Sequence, residues 1–253
     1  MPSDGATAED HALAARAATA AGARLLEVRE ELRGAPGYHV GDEGDRVAHD
    51  LLVELLEKES PGDAILSEEG RDDLRRLQER RVWIIDPLDG TREFGEVGRS
   101  DWAVHVALAI DGEVQAGAVA LPAVGTTLAS DPAPVVPERA PGKVRIVVSR
   151  SRPPAEAHLL ARELDGELVA LGSAGAKAMA VVLGHVDIYA HSGGQYEWDN
   201  AAPAVVALAA GLHASRLDGR PLRYNNRDPW LPDLLICRPE LADDVLGALG
   251  SRW

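Results

Sequence analysis

Two aspartates, three residues apart, follow an apolar run of strand type. The run Trp83-Ile84-Ile85 leads into Asp86-Pro87-Leu88-Asp89-Gly90-Thr91. Because Pro87 removes a backbone donor and Gly90 favours a turn, the pattern predicts that the strand ends on Asp86. We expect the two acids to project from the sheet rather than to lie together in the core, since their charges repel unless a cation lies between them. Carboxylates for a hard cation, beside backbone amides for an oxyanion, predict a metal-dependent phosphate site.

An ordinary Asp-Gly hairpin turn is the alternative interpretation of this motif. The chain repeats Leu-Asp-Gly at residues 217–219, where no acid precedes it and no proline ends a strand. We interpret that second copy as a hairpin turn only. The first copy differs in its preceding strand and its second carboxylate, and these favour the phosphate site.

Three further acids are candidates for the same site. Glu68 follows a short predicted strand, residues 64–67, that can neighbour the strand ending on Asp86. A solvated surface acid is the alternative for Glu68. Asp45 and Asp199 each stand where a helical pattern begins, so an N-cap is their alternative role. If the fold gathers them, two or three divalent ions could be held by four carboxylates: Glu68, Asp86, Asp89 and Asp199.

The first half of the chain predicts helices followed by an antiparallel sheet. We expect a long alanine-rich helix at residues 6–33, a loop from Gly37 to Gly44, and a second helix that begins near Asp45. A charged surface helix is predicted between Arg71 and Arg81. A hairpin that turns at Asp111-Gly112 joins strands 102–110 and 114–121, and a third strand is predicted at 125–129.

The second half of the chain alternates between strands and helices. Four prolines within residues 131–142 mark a linker that divides the chain into an N-terminal half, 1–140, and a C-terminal half, 141–253, which together form one compact unit. Strands are predicted at 143–149, 167–171, 186–190 and 234–237, and helices at 154–164, 174–183, 199–210 and 241–249. Strands mixed with helices throughout predict an α/β or α+β layered sandwich.

The composition of the chain limits which ligands and which cellular location are expected. The 253-residue chain is 45% hydrophobic, with a formal net charge of −15 and no basic stripe, which argues against a nucleic-acid polymer but permits a small phosphorylated ligand. No apolar run reaches membrane-spanning length, and residues 1–10 lack the features of a signal peptide. The single cysteine, Cys237, fits a reducing cytoplasm. The eight histidines show no metal-type spacing, so we assign them no site.

Together the motifs resemble the signatures of the inositol monophosphatase superfamily. The superfamily's first signature is similar to Asp86 to Thr91, and its second signature is similar to Trp198-Asp199 with Ala201-Ala202. A third acidic element of the superfamily is similar to Glu68-Glu69. Within the superfamily, the stretch 86–94, Gly172 to Lys177 and Glu197-Trp198-Asp199 most resemble CysQ-type 3′(2′),5′-bisphosphate nucleotidases, particularly actinobacterial ones. The resemblance covers most of the chain and implies an α+β fold of the αβαβα sandwich type.

The resemblance also implies a role for each matching residue. Glu68, Asp86 and the Leu88 carbonyl would hold one Mg²⁺, and Asp86, Asp89 and Asp199 a second. Asp45 and the Thr91 hydroxyl would orient and deprotonate the attacking water, with Glu68 also catalytic. The substrate would contact Asp89, Gly90, Thr91, Ser173, Lys177 and Asp199. A solvated lysine is the alternative for Lys177, and surface positions are the alternative for Ser149 and Arg150, which could otherwise line the same pocket.

The implied activity is Mg²⁺-dependent removal of the 3′-phosphate of adenosine 3′,5′-bisphosphate, which leaves AMP and belongs to sulfate assimilation. The reaction would proceed by in-line attack of water. The resemblance further implies that 3′-phosphoadenosine 5′-phosphosulfate is a second substrate, that Li⁺ inhibits the reaction, and that the protein is a monomer or a homodimer. Inositol 1-phosphate or fructose 1,6-bisphosphate hydrolysis is the alternative within the same chemistry. A non-catalytic phosphate-binding protein is the alternative from another class. A phosphatase with a nucleophilic aspartate is disfavoured, because its acids are two residues apart and Asp86 and Asp89 are three apart.

Overall fold

A computed structural model describes residues 5–72 and 74–250, so Asp73, within the predicted helix 71–81, lies outside the described residues. The seven α-helices of this part are α1 (Ala8–Glu31), α2 (Gly37–Glu59), α3 (Thr91–Gly95), α4 (Ala155–Glu163), α5 (Ala174–Val182), α6 (Glu197–Ala209) and α7 (Ala242–Gly250). Its ten strands are β1 (Ala64–Ser67), β2 (Arg81–Asp89), β3 (Ala103–Ile110), β4 (Glu113–Leu121), β5 (Thr126–Ala129), β6 (Val144–Ser149), β7 (Gly166–Leu171), β8 (Ile188–Tyr196), β9 (His213–Ser215) and β10 (Trp230–Cys237).

The strands form two five-stranded sheets. The first has the order β1-β2-β3-β4-β5, with β1 parallel to β2 and the remaining pairs antiparallel. The second has the order β7-β6-β8-β10-β9, in which β6 pairs in parallel with β7 and β8. The predicted division near residue 140 falls between the two sheets in the chain. It stays a prediction, because α5 and α6 pack against both sheets.

Three apolar clusters fill the four interfaces between five layers, and the middle cluster lies on both sides of α5 and α6. Helices α1 and α2 cover the face of the first sheet that carries Trp83 and Ile85. The opposite face of that sheet packs on α5 and α6, which also contact the second sheet through Tyr189. Helices α4 and α7 cover the outer face of the second sheet. The order is therefore helix, sheet, helix, sheet, helix, as the αβαβα prediction required. Within the described ranges, no helix is both long and apolar enough to cross a membrane.

The register of the first sheet determines where its acids point. Successive side chains of a strand alternate between faces, so Asp86 shares the face of Ile84, toward α5 and α6. Its cross-strand partner on β3 is His105. Glu68 follows the parallel neighbour β1, and its amide donates to the Ile85 carbonyl at 3.3 Å. The fold thus brings Glu68 to the edge of the sheet where β2 presents Asp86.

Helix α2 begins at Gly37, so the loop predicted for residues 37–44 is wrong. Glycine disfavours a helix by about 1 kcal/mol relative to alanine, but here its small size is used in packing. A Cβ on Gly41 would lie 2.6 Å from Thr91 Cγ2, and one on Gly44 would lie 2.8 Å from Phe94 Cε1. The glycines let α2 approach α3 closely. As a result Asp45 lies inside α2, buried, and not at the predicted N-cap.

Two further local predictions are wrong. Strand β2 continues past Asp86 to Asp89, because a break in the β2–β3 register between these residues accommodates Pro87. In the segment predicted as a helix at 71–81, the described residues contain the 3₁₀ turn Arg75–Gln78 and no α-helix before β2 starts. Arg76 is buried there, and its guanidinium donates to Asp72 and to the Asn226 carbonyl, which fixes the segment in an irregular path.

Candidate active site

Three aspartates meet between the first sheet and α6. One carboxylate oxygen from each of Asp86, Asp89 and Asp199 lies within 4.8 Å of the others. Asp86 is 1% exposed and Asp89 is 7% exposed, so the expectation that the two acids would not lie in the core together is wrong. Both are in the core because the irregular end of β2 turns them toward the same space. Such a set of buried carboxylates stays ionised together only where a positive charge compensates it.

The Asp86 carboxylate is only half satisfied by the protein. Its Oδ1 accepts the amide hydrogen of Leu88 at 3.1 Å. Its Oδ2 is buried, and among residues 5–72 and 74–250 no group hydrogen-bonds it. Burial, together with the negative charges of Glu68 and Asp89, raises the pKa of Asp86 well above its ordinary value. An orphaned carboxylate oxygen among other acids fits the ligand set of a divalent cation with oxygen ligands.

Asp89 is held by the first turn of α5. Its Oδ1 accepts from the Ala174 amide at 3.1 Å, and its Oδ2 accepts from the Gly175 amide at 2.6 Å. Burial alone would raise the pKa of Asp89, but His105 and the Gly175 amide more than offset that effect and hold the pKa below its ordinary value. Asp89 is therefore ionised and fixed in orientation.

Asp199 and Glu68 complete the acidic cluster. Asp199 lies in the first turn of α6, where its Oδ2 accepts from the Tyr196 amide at 2.6 Å; Tyr196, and not Asp199, is the N-cap. Burial, and next the charge of Asp89, raise the pKa of Asp199 to about 6. Glu68 is more exposed to solvent, yet partial burial and the charge of Asp199 raise its pKa to about 7. The protein alone does not neutralise these carboxylates, and the residues present fit a divalent cation.

Asp45 and Thr91 lie beside the cluster on α2 and α3. Burial, and the nearby charges of Glu69 and Glu68, raise the pKa of Asp45 to about 8. The Thr91 hydroxyl lies close enough to hydrogen-bond the Asp45 carboxyl, and it donates to the Leu88 carbonyl at 3.2 Å. The structure thus brings together an acid, a hydroxyl and the backbone carbonyl that the sequence had singled out.

A cleft of about 560 Å³ opens from the acidic cluster. Asp89, Gly90 and Asp199 form one end of it, and Ser149 and Arg150 contribute to its wall, as one of the two readings of that pair required. The remaining polar and aromatic residues of the wall are Arg92, Glu93, Ser151, Arg152, Ser173, Lys177, Tyr189, His191, Gln195, Tyr196 and Trp230. The cleft therefore combines cations, aromatic rings and the carboxylates at one end.

Lys177 is buried beneath this cleft, so the reading of it as a solvated lysine is wrong. Its Nζ donates to the carbonyls of Gly172 and Ser173, and it lies 5.5 Å from the centre of the Tyr189 ring. Burial lowers the pKa of Lys177 even though Asp89 acts in the opposite direction. Ser173 also lines the cleft, but its hydroxyl accepts the Ala176 amide as the N-cap of α5.

His105 is the residue of the site that the sequence did not reveal. It is fully buried on β3, and its Nε2 lies 3.2 Å from Asp89 Oδ2. A histidine in an otherwise apolar strand gives no motif. His105 could have been found only from its position on β3 opposite Asp86 on β2. To know that position, one needs the register of β2 against β3.

Comparison with known proteins gives a consistent result. The model of the family described as "Inositol monophosphatase family" matches residues 7–246. The chain is 56% identical over 256 residues to a protein of Mycobacterium leprae named 3′-phosphoadenosine 5′-phosphate phosphatase, with 96% of this chain and 94% of the relative covered. Crystal structures of CysQ from Bacteroides thetaiotaomicron (25% identity, TM-score 0.76, covering 91% of this chain and 97% of that one) and of 2′AMP-bound SaIMPase-II (20% identity, TM-score 0.75, covering 92% of each) share the fold.

Proposed function

The chain belongs to the inositol monophosphatase family, and we propose that it is a metal-dependent phosphatase that removes the 3′-phosphate of 3′-phosphoadenosine 5′-phosphate to leave AMP. The meeting of Asp86, Asp89 and Asp199 at the end of a cationic and aromatic cleft carries this proposal. The name of the mycobacterial relative supports the choice of substrate.

The metal would be held by the acidic cluster. The family is metal-dependent, and we propose two or three Mg²⁺ ions on Glu68, Asp86, Asp89, Asp199 and the Leu88 carbonyl. When bound, magnesium supplies positive charge that stabilises the phosphoryl oxygens as the ester bond breaks. The chain's own contribution is to hold the carboxylates close together before the ion binds. Backbone amides of α5 fix Asp89, and the Tyr196 amide fixes Asp199.

Asp45 and Thr91 would handle the proton of the attacking water. A general base works best when its pKa lies near the operating pH. The raised pKa of Asp45, about 8, therefore suits a group that takes a proton at neutral or mildly alkaline pH. The Thr91 hydroxyl, fixed to the Leu88 carbonyl, would orient the water for in-line attack. Glu68, whose pKa is about 7 in the metal-free protein, would take part in the reaction as a metal ligand beside this pair.

The remainder of the cleft would bind the nucleotide. The Gly90 and Thr91 amides would contact the phosphate that leaves, and Lys177 and Arg152 would attract the phosphate that stays. Tyr196 and Trp230, both partly exposed and cross-strand partners on β8 and β10, offer aromatic surface to a purine base. Inositol 1-phosphate and fructose 1,6-bisphosphate carry no base, so this part of the cleft favours the nucleotide.

The proposal includes a cytoplasmic location, a role in sulfate assimilation and inhibition by Li⁺. The single, buried Cys237 supports a reducing compartment. We also propose that 3′-phosphoadenosine 5′-phosphosulfate, which carries the same 3′-phosphate, is a second substrate.

The test is phosphate release by purified protein with Mg²⁺, in which kcat/KM is compared for 3′-phosphoadenosine 5′-phosphate, inositol 1-phosphate and fructose 1,6-bisphosphate. We expect the nucleotide to be preferred by about 10²-fold or more, equivalent to roughly 2.7 kcal/mol of transition-state discrimination. Equal rates would contradict the nucleotide assignment. Absence of phosphate release from all three would overturn the enzymatic function and favour a phosphate-binding protein.

A further inference from the structure

We propose that His105 is a positioning residue that fixes the spacing of the three aspartates, by linking Asp89 to the backbone that carries Asp199. The inference rests on the proposed metal site. His105, on β3, is 0% exposed and faces the end of β2 and the start of α6. It is the one side chain of the described ranges that we find within 4 Å of both Asp86 and Asp89 and bonded to the residue before Asp199.

The two ring nitrogens of His105 have different partners. Nδ1 lies 2.9 Å from the Trp198 carbonyl oxygen, and because a carbonyl only accepts, Nδ1 carries a hydrogen and donates it. Nε2 lies 3.2 Å from Asp89 Oδ2, at ion-pair distance, and Nδ1 lies 3.9 Å from Asp86 Oδ2. The ring thus spans the gap between the two halves of the acidic cluster, which come from residues about a hundred positions apart in the chain.

The neighbouring residues leave room for this ring and for little else. A Cβ on Gly175 would lie 2.1 Å from His105 Nε2 and 3.0 Å from Ala103 Cβ. Gly175 therefore serves two functions, since its amide also donates to Asp89 Oδ2 at 2.6 Å. The Nε2 atom makes no hydrogen bond to the described residues, and its polar contact is the 3.2 Å approach to Asp89 Oδ2. Leaving a buried polar atom without a hydrogen bond is unfavourable in a residue that only fills the core, so this placement points to a role at the acidic cluster.

This arrangement affects metal affinity more than the fold. Three carboxylates repel one another before a cation binds, so a group that restrains them lowers the free energy needed to bring them together. Loss of residues that orient metal ligands typically weakens metal binding by about 10- to 100-fold. We expect a loss of that size when His105 is replaced, with the aspartates themselves intact.

The experiment measures Mg²⁺ binding by calorimetry to metal-free protein, without substrate, for the wild type, His105→Ala and His105→Asn. An asparagine amide reaches about as far as Nδ1, so it can donate to the Trp198 carbonyl but not contact Asp89. We expect a 10- to 100-fold loss of Mg²⁺ affinity in His105→Ala and a smaller loss in His105→Asn. Circular dichroism and the melting temperature without metal report whether each variant folds. Wild-type Mg²⁺ affinity in a folded His105→Ala would overturn the proposal.

Gly175→Ala gives an independent test, because its new methyl group would displace the His105 ring. We expect Gly175→Ala to weaken Mg²⁺ binding in the wild-type background and to add little to His105→Ala, where the ring is gone. Gly247→Ala in α7, whose Cβ would meet no atom within 4 Å, is the matched control. Full additivity of the two losses would contradict an effect through His105. Since no substrate is present, a wild type that binds Mg²⁺ but hydrolyses no nucleotide overturns the proposed function and not the role of His105, and a wild type that binds no Mg²⁺ overturns both.

Discussion

In the metal-free protein, replacing Asp45 with asparagine should reduce the fall in stability that occurs as the pH rises. Burial and the charges of Glu69 and Glu68 raise the pKa of Asp45 to about 8, far above the 3.8 of an exposed aspartate. A group whose pKa is raised by folding stabilises the fold fully below the pKa of the unfolded chain, and that contribution is lost as the pH rises toward the folded value. Between pH 4 and pH 8, therefore, wild-type stability should fall through this residue, whereas Asp45→Asn has no proton to lose.

The size of the effect follows from proton linkage. One proton bound by the folded state alone changes the free energy of unfolding by about 1.4 kcal/mol per pH unit. With a folded pKa of about 8, Asp45 contributes a loss of about 2 kcal/mol between pH 6 and pH 8. The measurement is urea unfolding in EDTA at pH 6, 7 and 8, with the slopes of wild type and variant compared.

Glu54→Gln is the matched control for this measurement, because Glu54 is exposed on the same helix α2. We expect the wild type and Glu54→Gln to lose stability in parallel and Asp45→Asn to lose about 2 kcal/mol less over the same pH range. The variant's absolute stability can differ for other reasons, so the slope is the diagnostic quantity. Equal slopes for wild type and Asp45→Asn would refute the reasoning that burial raises the pKa of this carboxyl.

Three further outcomes follow from the site. Asp86→Asn removes a buried negative charge whose Oδ2 atom no described residue hydrogen-bonds, so in EDTA at pH 8 its melting temperature should exceed that of the wild type, while Mg²⁺ no longer raises it and turnover falls by roughly 10³-fold; a wild-type response to Mg²⁺ would contradict the ligand assignment. Lys177→Met should lower kcat/KM for the nucleotide by about 30-fold, the effect of one charged hydrogen bond of about 2 kcal/mol, and should affect inositol 1-phosphate less; equal losses would indicate a structural lysine. Gly41→Ala, whose Cβ would lie 2.6 Å from Thr91 Cγ2, should reduce kcat and lower stability by about 1–3 kcal/mol, with Mg²⁺ affinity retained. The control Gly247→Ala should change neither kcat nor stability. Unchanged kcat in Gly41→Ala would argue against the role of Asp45 and Thr91.

Much of the fold was predictable because local and periodic signals agreed with it. The hairpin turn at Asp111-Gly112 is present, with both residues at positive φ, as a two-residue turn between twisted strands requires. The second Leu-Asp-Gly copy is a turn, with the Arg216 amide donating to the Arg220 carbonyl at 2.9 Å. The acids of the motif at 86–91 and Asp199 do meet, because their order along the chain matches the elements that present them.

The remaining features depend on contacts that local sequence does not encode. The glycines at 37, 41 and 44 predict a loop from propensity alone, yet they form a helix because α3 packs against them. Pro87 suggested the end of a strand, but a break in register with β3 lets the strand continue to Asp89. His105 became recognisable only through its pairing with Asp86 and its contact with the start of α6. For the glycines and Pro87, tertiary packing outweighed a correct local preference; for His105, the local sequence expressed no preference.

The central claim is tested most directly by identifying the product that the purified protein forms from 3′-phosphoadenosine 5′-phosphate in the presence of Mg²⁺, by chromatography against authentic 5′-AMP and 3′-AMP. We predict stoichiometric 5′-AMP and inorganic phosphate from the wild type, and formation of both that is roughly 10³-fold slower with the folded Asp86→Asn variant. Formation of 3′-AMP would show that the wrong phosphate is removed. An unchanged nucleotide, or product formation by Asp86→Asn at the wild-type rate, would contradict hydrolysis at this acidic cluster.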